Sequence, residues 1–440
     1  MLILSLLSSY NGLACVRQNT VKLINIQTHT TMKFNQFFVA MAALAALICT
    51  SCSQQHKSNM QYRALGNTGI EVSEIGIGCG VFEYLDSAQS IAYMDLALDS
   101  GVNYMDIYDA NPAVLNNIGI ALRGRRDKMN LQGHIGNWWN PTLNQNERTR
   151  NVEQARIGFD DMLSRLGTDH IEVGLIFMSD DLADWDSLIH SPFMDYAESL
   201  VKEGKVKHLG MSSHNPEVAL AAAKSGKVEV IMFSLNPAFD LVQSGYSAWD
   251  PEAYNNLLPG INPVRTELYN YCVQHQIGIV VMKVIGGGGR LLDAAQSPLG
   301  FALTVNQCIA YALSNPAVSC ALVGSRKIEH LMEDLQYLSA TDADKDFSQA
   351  MNQIGKKEKH SGQCTYCGHC TPCPVGIDIA KVNELLDKAG DNPSAAVQQE
   401  YDALEHHASE CTACGACEKR CPFDVPVREK MAQAVKVFGK

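Results

Sequence analysis

The sequence predicts an α/β protein in which a (β/α)8 (TIM) barrel is followed by a small helical domain. Three observations predict it: eight short apolar runs with helical segments between them, a cluster of cysteines near the end of the chain, and a length of 440 residues, which exceeds one ordinary core. Eight of the 15 cysteines fall between Cys364 and Cys421. We therefore divide the chain into a leader with a polar linker, a barrel and a cysteine-bearing tail, over residues 1–60, 61–345 and 346–440.

The acidic composition indicates which classes of partner the protein can bind. The formal net charge is −12 at pH 7, whereas proteins that bind nucleic acid present clustered Lys and Arg to the phosphates. The composition therefore argues against a nucleic-acid binder, and we expect small molecules or other proteins as partners.

Residues 32–55 have the plan of a secretory signal. They read MKFNQFFVAMAALAALICTSCSQQ, with one Lys before an apolar run and two small residues directly before Cys52. The run is shorter than the ~20 residues that span a bilayer, which argues against a permanent transmembrane helix. A buried hydrophobic helix is the alternative reading.

The small pair before Cys52 resembles a bacterial lipoprotein signal, although Cys49 stands where an aliphatic residue is usual. The resemblance implies that Cys52 carries a lipid as the first residue of the mature protein. We therefore expect a membrane-anchored lipoprotein of the cell envelope, with translation starting at Met32. A cytoplasmic location is the alternative, because folded cluster proteins are usually exported by a twin-arginine signal, which this leader lacks.

The barrel is predicted from eight apolar runs that lie between Tyr62 and about Leu338. Continuous apolar runs are typical of strands buried on both faces, and the helices between several of them end at or near a Gly. Eight such units predict a barrel with its chemistry at the carboxyl ends of the strands. A doubly wound sheet is disfavoured, because the first strand lacks a GxGxxG turn into a helix. The runs cover residues 72–80, 103–109, 128–136, 170–178, 206–214, 228–236, 277–286 and 318–325.

Four separated motifs carry a resemblance to the aldo-keto reductases. YRALGNTGIEVSEIGIGCG, LRGRRDK, SRLGTDHIEVGLI and ALVGSRKIEHLMEDL occur in the family's order between about Tyr62 and Leu338. The resemblance implies an NADPH-dependent carbonyl reductase, with a catalytic Asp, Tyr, Lys and His at the ends of successive early strands.

Three of the four catalytic positions depart from the family pattern. Asp106 matches the family aspartate, but Asn111 stands at the tyrosine position, His134 at the lysine position and Phe177 at the histidine position. Phe177 cannot hydrogen-bond a carbonyl, and Asn111 cannot donate a proton as a polarised tyrosine does. Ordinary NADPH-dependent carbonyl reduction is therefore not expected.

The remaining polar groups at the predicted mouth support a different hypothesis. Asp106, together with His134 or with the nearby Tyr108, would form the catalytic group, because an imidazole bound to a carboxylate can move protons near neutral pH. Polar residues that merely line the barrel mouth are the alternative.

The cofactor site is predicted to keep its phosphate end and to lose its nicotinamide end. Ser213 and Met232 replace the Asn and Gln that hold the carboxamide in the family, while GSRK follows the last strand, with Asp334 in place of a usual Asn. NADP(H) therefore remains a candidate cofactor. The candidate cofactor-binding residues are Ser212, Lys283, Gly324, Ser325, Arg326 and Lys327.

Two four-cysteine motifs in the tail predict two [4Fe–4S] clusters. The second has the spacing C-x2-C-x2-C-x3-C-P of bacterial ferredoxins, in which the last cysteine ligates the other cluster, and the first motif is one residue shorter. Structural zinc and disulfides are the alternatives. The predicted ligands are Cys364, Cys367, Cys370 and Cys421 for cluster one, and Cys411, Cys414, Cys417 and Cys373 for cluster two.

The tail resembles the helical two-cluster ferredoxin domains of larger oxidoreductases, and the whole chain resembles iron–sulfur members of the aldo-keto reductases. Two functions follow. One is an oxidoreductase that couples an organic substrate at the barrel mouth to the clusters, with a redox protein as a partner. The other is a membrane-anchored electron-transfer or docking protein whose barrel has lost catalysis. Coupling NADPH to single-electron carriers would need a flavin or another converter, which the sequence does not reveal.

Overall fold

The structure is a computed structural model, and its description covers residues 59–247, 250–255, 257–258, 260–348, 350–351, 362, 364, 366, 370–390, 392–421 and 423–440. The leader with Cys52 lies outside the described residues, as does Cys367 of the first cysteine motif. Within the described part, none of the helices is both long and apolar enough to cross a membrane.

A short antiparallel hairpin precedes the barrel. It pairs β1 (Tyr62–Ala64) with β2 (Glu71–Ser73), and Leu65 and Val72 pack into the apolar cluster inside the barrel. The turn needs Gly66, whose φ of +56° is left-handed and whose missing Cβ leaves room for the backbone at Gln276.

All eight predicted barrel strands are present, and they close into one parallel barrel, as the sequence predicts. They are β3 (Ile75–Gly78), β4 (Tyr104–Ile107), β5 (Asn130–Ile135), β8 (Ile171–Ile176), β9 (Val206–Ser213), β10 (Val230–Ser234), β11 (Gly278–Met282) and β12 (Val318–Val323). Neighbours in the barrel follow chain order, and Ala321 of β12 pairs with Ile75 of β3 to close it. Almost every strand position is buried, which explains why the runs are apolar throughout.

Helices follow the strands and cover the outside of the barrel. Local signals set their ends: Asn151 caps α3 by accepting from the amide of Gln154, and Gly167 ends that helix with a left-handed φ of 66°. The helices of this part are α1 (Ser87–Asp99), α2 (Pro112–Ala121), α3 (Val152–Leu166), α4 (Leu182–Leu188), α5 (Pro192–Lys202), α6 (Pro216–Lys224), α7 (Pro263–Gln274), α8 (Val305–Ser314), α9 (Ile328–Leu335) and α10 (Asp342–Lys345).

A second hairpin, which the sequence did not predict, is inserted after the third barrel strand. It pairs β6 (Asn137–Asn140) with β7 (Gln145–Arg148). The Asn146 side chain anchors it to the loop after β4 by donating to Asp109 Oδ1 at 2.6 Å and accepting from the Ala110 amide at 2.7 Å. The hairpin therefore holds the loop that carries Tyr108.

The tail is helical, as predicted, with two of its helices between the cysteine motifs. Its helices are α11 (Ile379–Ala389), α12 (Ala395–Asp402), α13 (Ala416–Arg420) and α14 (Val427–Phe438). Tyr401 of α12 stacks on Phe438 of α14 with ring centroids 4.0 Å apart, and Val382 and Leu385 of α11 are fully buried. Barrel and tail belong to one compact unit, which spans Ser58–Lys440.

Candidate functional site

Asp106 and His134 form a buried pair at the carboxyl ends of β4 and β5. Asp106 Oδ1 lies 2.9 Å from His134 Nε2, and the two side chains are only 1% and 3% exposed. The same oxygen accepts a hydrogen bond of 2.7 Å from Gln132 Nε2. The predicted catalytic pair is thus in direct contact.

Gln132 extends this pair into the barrel interior, and the sequence analysis missed it. Its amide oxygen accepts from the Tyr104 hydroxyl at 2.8 Å, and its amide nitrogen also lies 3.4 Å from Met232 Sδ. A polar side chain in the middle of the apolar run KMNLQGHIG was the available signal, because a buried amide needs partners. Met232, the replacement for the nicotinamide-binding Gln, therefore contacts this amide.

The positions that depart from the family pattern have structural uses. Asn111 caps α2, since its side-chain oxygen accepts from the Ala113 amide at 2.9 Å. Phe177 packs edge-on against the imidazole of His134, with ring centroids 5.2 Å apart. These contacts explain how the changed residues fit locally.

Tyr108 lies on the loop after β4 and is 45% exposed. Its backbone carbonyl accepts from Asn137 Nδ2 at 2.5 Å, and its hydroxyl lies 2.5 Å from the position that a Cβ on Gly80 would take. Among the described residues no hydrogen bond joins the phenol to Asp106 or His134. The Asp106–His134 pair is therefore better defined than a pair of Asp106 with Tyr108.

A second polar group surrounds Asp180, at the ends of β8 and β9. Its carboxylate accepts from the His214 amide at 2.6 Å and from the Ser213 hydroxyl at 2.9 Å, and it lies 3.0 Å from His214 Nδ1. Burial raises the pKa of Asp180, but these hydrogen bonds and the imidazole outweigh it and hold that pKa below its usual value. Ser213, which replaces the family Asn, is thus engaged within the protein.

Ser212 and Lys283 lie at the ends of β9 and β11. The Ser212 hydroxyl is buried and accepts from the Met178 amide at 2.9 Å. Lys283 has a left-handed φ of 63°, and burial lowers the pKa of its ammonium group although the charge of Asp106 opposes this. Both residues line the same end of the barrel as the Asp106–His134 pair.

The predicted phosphate end divides into exposed and buried groups. Gly324, Arg326 and Lys327 are exposed after β12, whereas Ser325 is buried and its hydroxyl donates to Asp334 Oδ2 at 3.3 Å. Burial raises the pKa of Asp334 to about 7. The two cations are therefore open to an anion, while Ser325 is held by a carboxyl group.

Four cysteines from both motifs line one cavity in the tail. They are the ligands assigned to cluster two, Cys373, Cys411, Cys414 and Cys417. Arg420 also lines this cavity, and its Nε is a buried nitrogen without a hydrogen-bond partner among the described residues. Four thiols and an unsatisfied N–H donor fit a thiolate-bound cluster, whose sulfurs accept hydrogen bonds. In the described residues no three His, Cys, Asp or Glu side chains are already close enough to hold a single metal ion.

The predicted ligands of cluster one that the structure describes also contact the apolar core. Cys370 is buried, and Cys364 and Cys421 are partly buried against the same apolar cluster. The amide of Gly362 donates to the carbonyl of Phe423 at 2.8 Å, so this residue, just before the first motif, lies beside the end of the second. The assignment of Cys421 to cluster one remains a prediction, since Cys367 lies outside the described residues.

The fold and the site define a (β/α)8 barrel of the aldo-keto reductase type with a cysteine-bearing tail. The sequence matches the Aldo/keto reductase family over residues 74–299, and the chain belongs to this family. Residues 336–426 match a 4Fe-4S dicluster domain.

Individual relatives agree with this family assignment. The uncharacterized oxidoreductase YqkF of Bacillus subtilis is 23% identical over 341 residues, which cover 70% of this chain and 99% of YqkF. The aldo-keto reductase YhdN of the same organism is 26% identical over 226 residues, which cover 48% of this chain and 61% of YhdN. A solved aldo-keto reductase from Bacillus halodurans shares the fold, with 22% identity and a TM-score of 0.52 over 67% of this chain and 96% of that one.

Proposed function

We propose that this protein is an iron–sulfur oxidoreductase, in which an organic substrate binds at the barrel mouth and electrons pass through two [4Fe–4S] clusters in the tail. The observation that carries the proposal is the cavity lined by Cys373, Cys411, Cys414 and Cys417, which come from both motifs. Zinc sites use CxxC pairs, but they do not account for two proline-terminated four-cysteine runs. Bound clusters of this kind supply or remove single electrons.

The Asp106–His134 pair supplies acid–base chemistry in this proposal. An ionised Asp106 only accepts hydrogen bonds, so His134 Nε2 carries the proton between them, and Nδ1 is the unprotonated nitrogen of the neutral ring. Nδ1 is buried and has no partner among the described residues. His134 would therefore take up or release a proton at Nδ1, while Asp106 orients the ring and stabilises its charged form.

NADP(H) is the proposed source of reducing equivalents, held by Arg326 and Lys327 beyond the last strand. Hydride transfer moves two electrons and a cluster accepts one, so a flavin or a comparable group must divide the pair. A redox protein that exchanges electrons with the tail is the proposed alternative source.

A second function, an electron-transfer or docking protein without barrel catalysis, is favoured by two contacts. Asn111 serves as a helix cap, and Phe177 fills the space beside His134 with an apolar ring. Neither residue could contribute the family's proton donor or carbonyl ligand.

The first experiment is to purify the full chain without oxygen, measure iron, sulfide and zinc, and add NADPH while recording the visible absorbance. The proposal expects about eight iron atoms per chain, four for each cluster. Bleaching by NADPH would show that the barrel passes electrons to the tail. Loaded clusters that bleach only with a redox protein, and respond to no substrate, would favour the second function. Zinc without iron would contradict both.

We also propose attachment to the cell envelope through a lipid on Cys52. The support is the order of Lys, apolar run and small residues before that cysteine. Mass spectrometry of the native protein tests it: a lipid-modified Cys52 at the amino terminus is expected, and a mature chain that begins before Cys52 would contradict it.

A further inference from the structure

Arg420 joins the two cysteine motifs. It is the last residue of α13, next to Cys421, and its Nη2 donates to the carbonyl oxygens of Cys370 at 2.6 Å and Pro372 at 2.9 Å. Both carbonyls belong to the first motif, whereas the same side chain lines the cavity of Cys373 and the second motif. One guanidinium group therefore contacts the backbone of one motif and borders the cavity assigned to the other.

The Nε of this side chain lacks an acceptor. It is buried, and no hydrogen-bond partner for it exists among the described residues. A buried donor without a partner costs about 1–3 kcal/mol, so an acceptor in the cavity would remove that cost. Arginine stays charged at any pH at which proteins fold, and its positive charge therefore persists at this site.

Arg428 offers a direct contrast, because it lines the same cavity without a free charge. Its Nε donates to Glu418 Oε2 at 2.8 Å, its Nη2 lies 2.7 Å from the same oxygen, and its amide donates to Oε1 at 2.9 Å. The charge of Arg428 is thus paired by Glu418, whereas the guanidinium of Arg420 hydrogen-bonds only to backbone carbonyls among the described residues.

We propose that Arg420 is a positioning residue that raises the reduction potential of cluster two. Its Nε–H would donate to a sulfur in the cavity of Cys373, Cys411, Cys414 and Cys417. A donor and a positive charge stabilise the reduced state, which carries one more negative charge, and hydrogen bonds to sulfur and local charge are known determinants of cluster potential. Reduction of cluster two adds one electron to it, and no bond or proton moves with that electron. The inference rests on the proposed function, because it requires both clusters.

The test is a redox titration of the full chain, followed by electron paramagnetic resonance, after iron and sulfide have been measured in every sample. Arg420→Gln removes the charge and the Nε–H. At a fixed solution potential we expect the ratio of reduced to oxidised cluster two to fall about tenfold. This change corresponds to a reduction potential that is lower by about 59 mV for a one-electron couple. Arg428→Gln is the matched control and should change this ratio less than about twofold, because its charge is already paired.

Two further variants keep the inference open to contradiction. Cys414→Ser changes a ligand of cluster two and so identifies its signal. Arg420→Lys keeps the charge but loses the planar set of N–H donors, so we expect the ratio of reduced to oxidised cluster two to fall about threefold. If Arg420→Gln does not retain its iron, the result for Arg420→Lys decides whether the inference holds.

The inference fails if the Arg420 variants retain iron and sulfide with an unchanged ratio, or if they shift only the signal that Cys414→Ser leaves unaffected. A wild-type chain that holds no iron would instead contradict the proposed function itself. The two failures are therefore distinguishable.

Discussion

At the scale of single residues, His134 is the proposed acid–base group of the barrel mouth. Its Nε2 is committed to Asp106, and Phe177 closes one side of the ring. The sequence alone could pair Asp106 with either His134 or Tyr108, because both lie at neighbouring strand ends. The closed barrel favours His134, since side chains at the ends of adjacent parallel strands face the same space.

Replacing His134 by Ala should lower turnover by at least about 100-fold, the size of contribution that a positioned acid or base makes. Turnover would be measured as oxidation of the reduced clusters by a panel of aldehydes, ketones and other organic acceptors. His208→Ala is the control, because His208 also lies on a barrel strand beside a carboxylate, 3.0 Å from Glu229, but away from the mouth. Unchanged turnover with every acceptor would remove His134 from the mechanism.

Asp334 should reduce stability at alkaline pH. Burial raises the pKa of its carboxyl to about 7, so the neutral form is preferred in the folded state. The cost is absent below the unfolded pKa near 4 and grows until the pH passes about 7. Asp334→Asn should therefore raise the free energy of unfolding by about 1–3 kcal/mol at pH 8 and by much less at pH 5.

Thermal unfolding at both pH values measures this difference. Asp186→Asn, on the exposed face of α4, is the control and should show no dependence of this kind. If Asp334→Asn raised the free energy of unfolding equally at pH 5 and pH 8, the titration of this carboxyl would not be the cause of the stabilisation.

At the scale of elements, local sequence signals account for most boundaries. Capping residues and glycines start and end the helices, and the apolar runs place the strands. The hairpin Asn137–Arg148 was missed because it is mostly polar and contains two tryptophans that read as a loop. It is also anchored by a contact outside the hairpin, from Asn146 to Asp109, which no local pattern predicts.

The first hairpin provides a test of how it docks on the barrel. Gly66→Ala should destabilise the protein by about 3 kcal/mol or more, because a Cβ would meet the backbone of Gln276 and Gly278 and the φ of +56° is unfavourable for Ala. Gly69 has a similar φ of +75° but open space around it, so Gly69→Ala should cost only about 1 kcal/mol. Thermal unfolding of both variants separates collision from backbone strain. Equal losses of stability in the two variants would contradict the close contact between the Gly66 turn and the backbone at Gln276.

At the scale of the whole molecule, the tail places cysteines from distant parts of the chain around one cavity. Cys373 and Cys411 lie 38 residues apart, since 411 − 373 = 38, yet they line the same space. In the proposed exchange of the last cysteine between motifs, each motif would supply one ligand to the other motif's cluster.

This exchange predicts which variants resemble each other. Cys373→Ala should abolish the same paramagnetic signal as Cys414→Ala, although Cys373 belongs to the first motif, and iron should fall from about eight to about four atoms per chain. Cys421→Ala should instead resemble Cys364→Ala. Cys308→Ala, a buried barrel cysteine on α8, is the control and should keep both signals. If Cys373→Ala abolished the signal that Cys364→Ala abolishes, the proposed exchange of the last cysteines would be contradicted.

The sequence by itself determined the eight-stranded barrel and the helical tail, and it supplied the candidate catalytic residues and cysteine ligands as predictions. These features are encoded locally, in apolar periodicity, in glycine and capping signals, and in short fixed spacings between ligands. Only the tertiary structure decided which polar groups meet. Gln132 joins Asp106, Asp334 holds Ser325, and Arg420 joins both motifs through contacts that depend on barrel closure and helix packing. No local pattern records these contacts, because each partner lies on a different element and its distance is set by the fold.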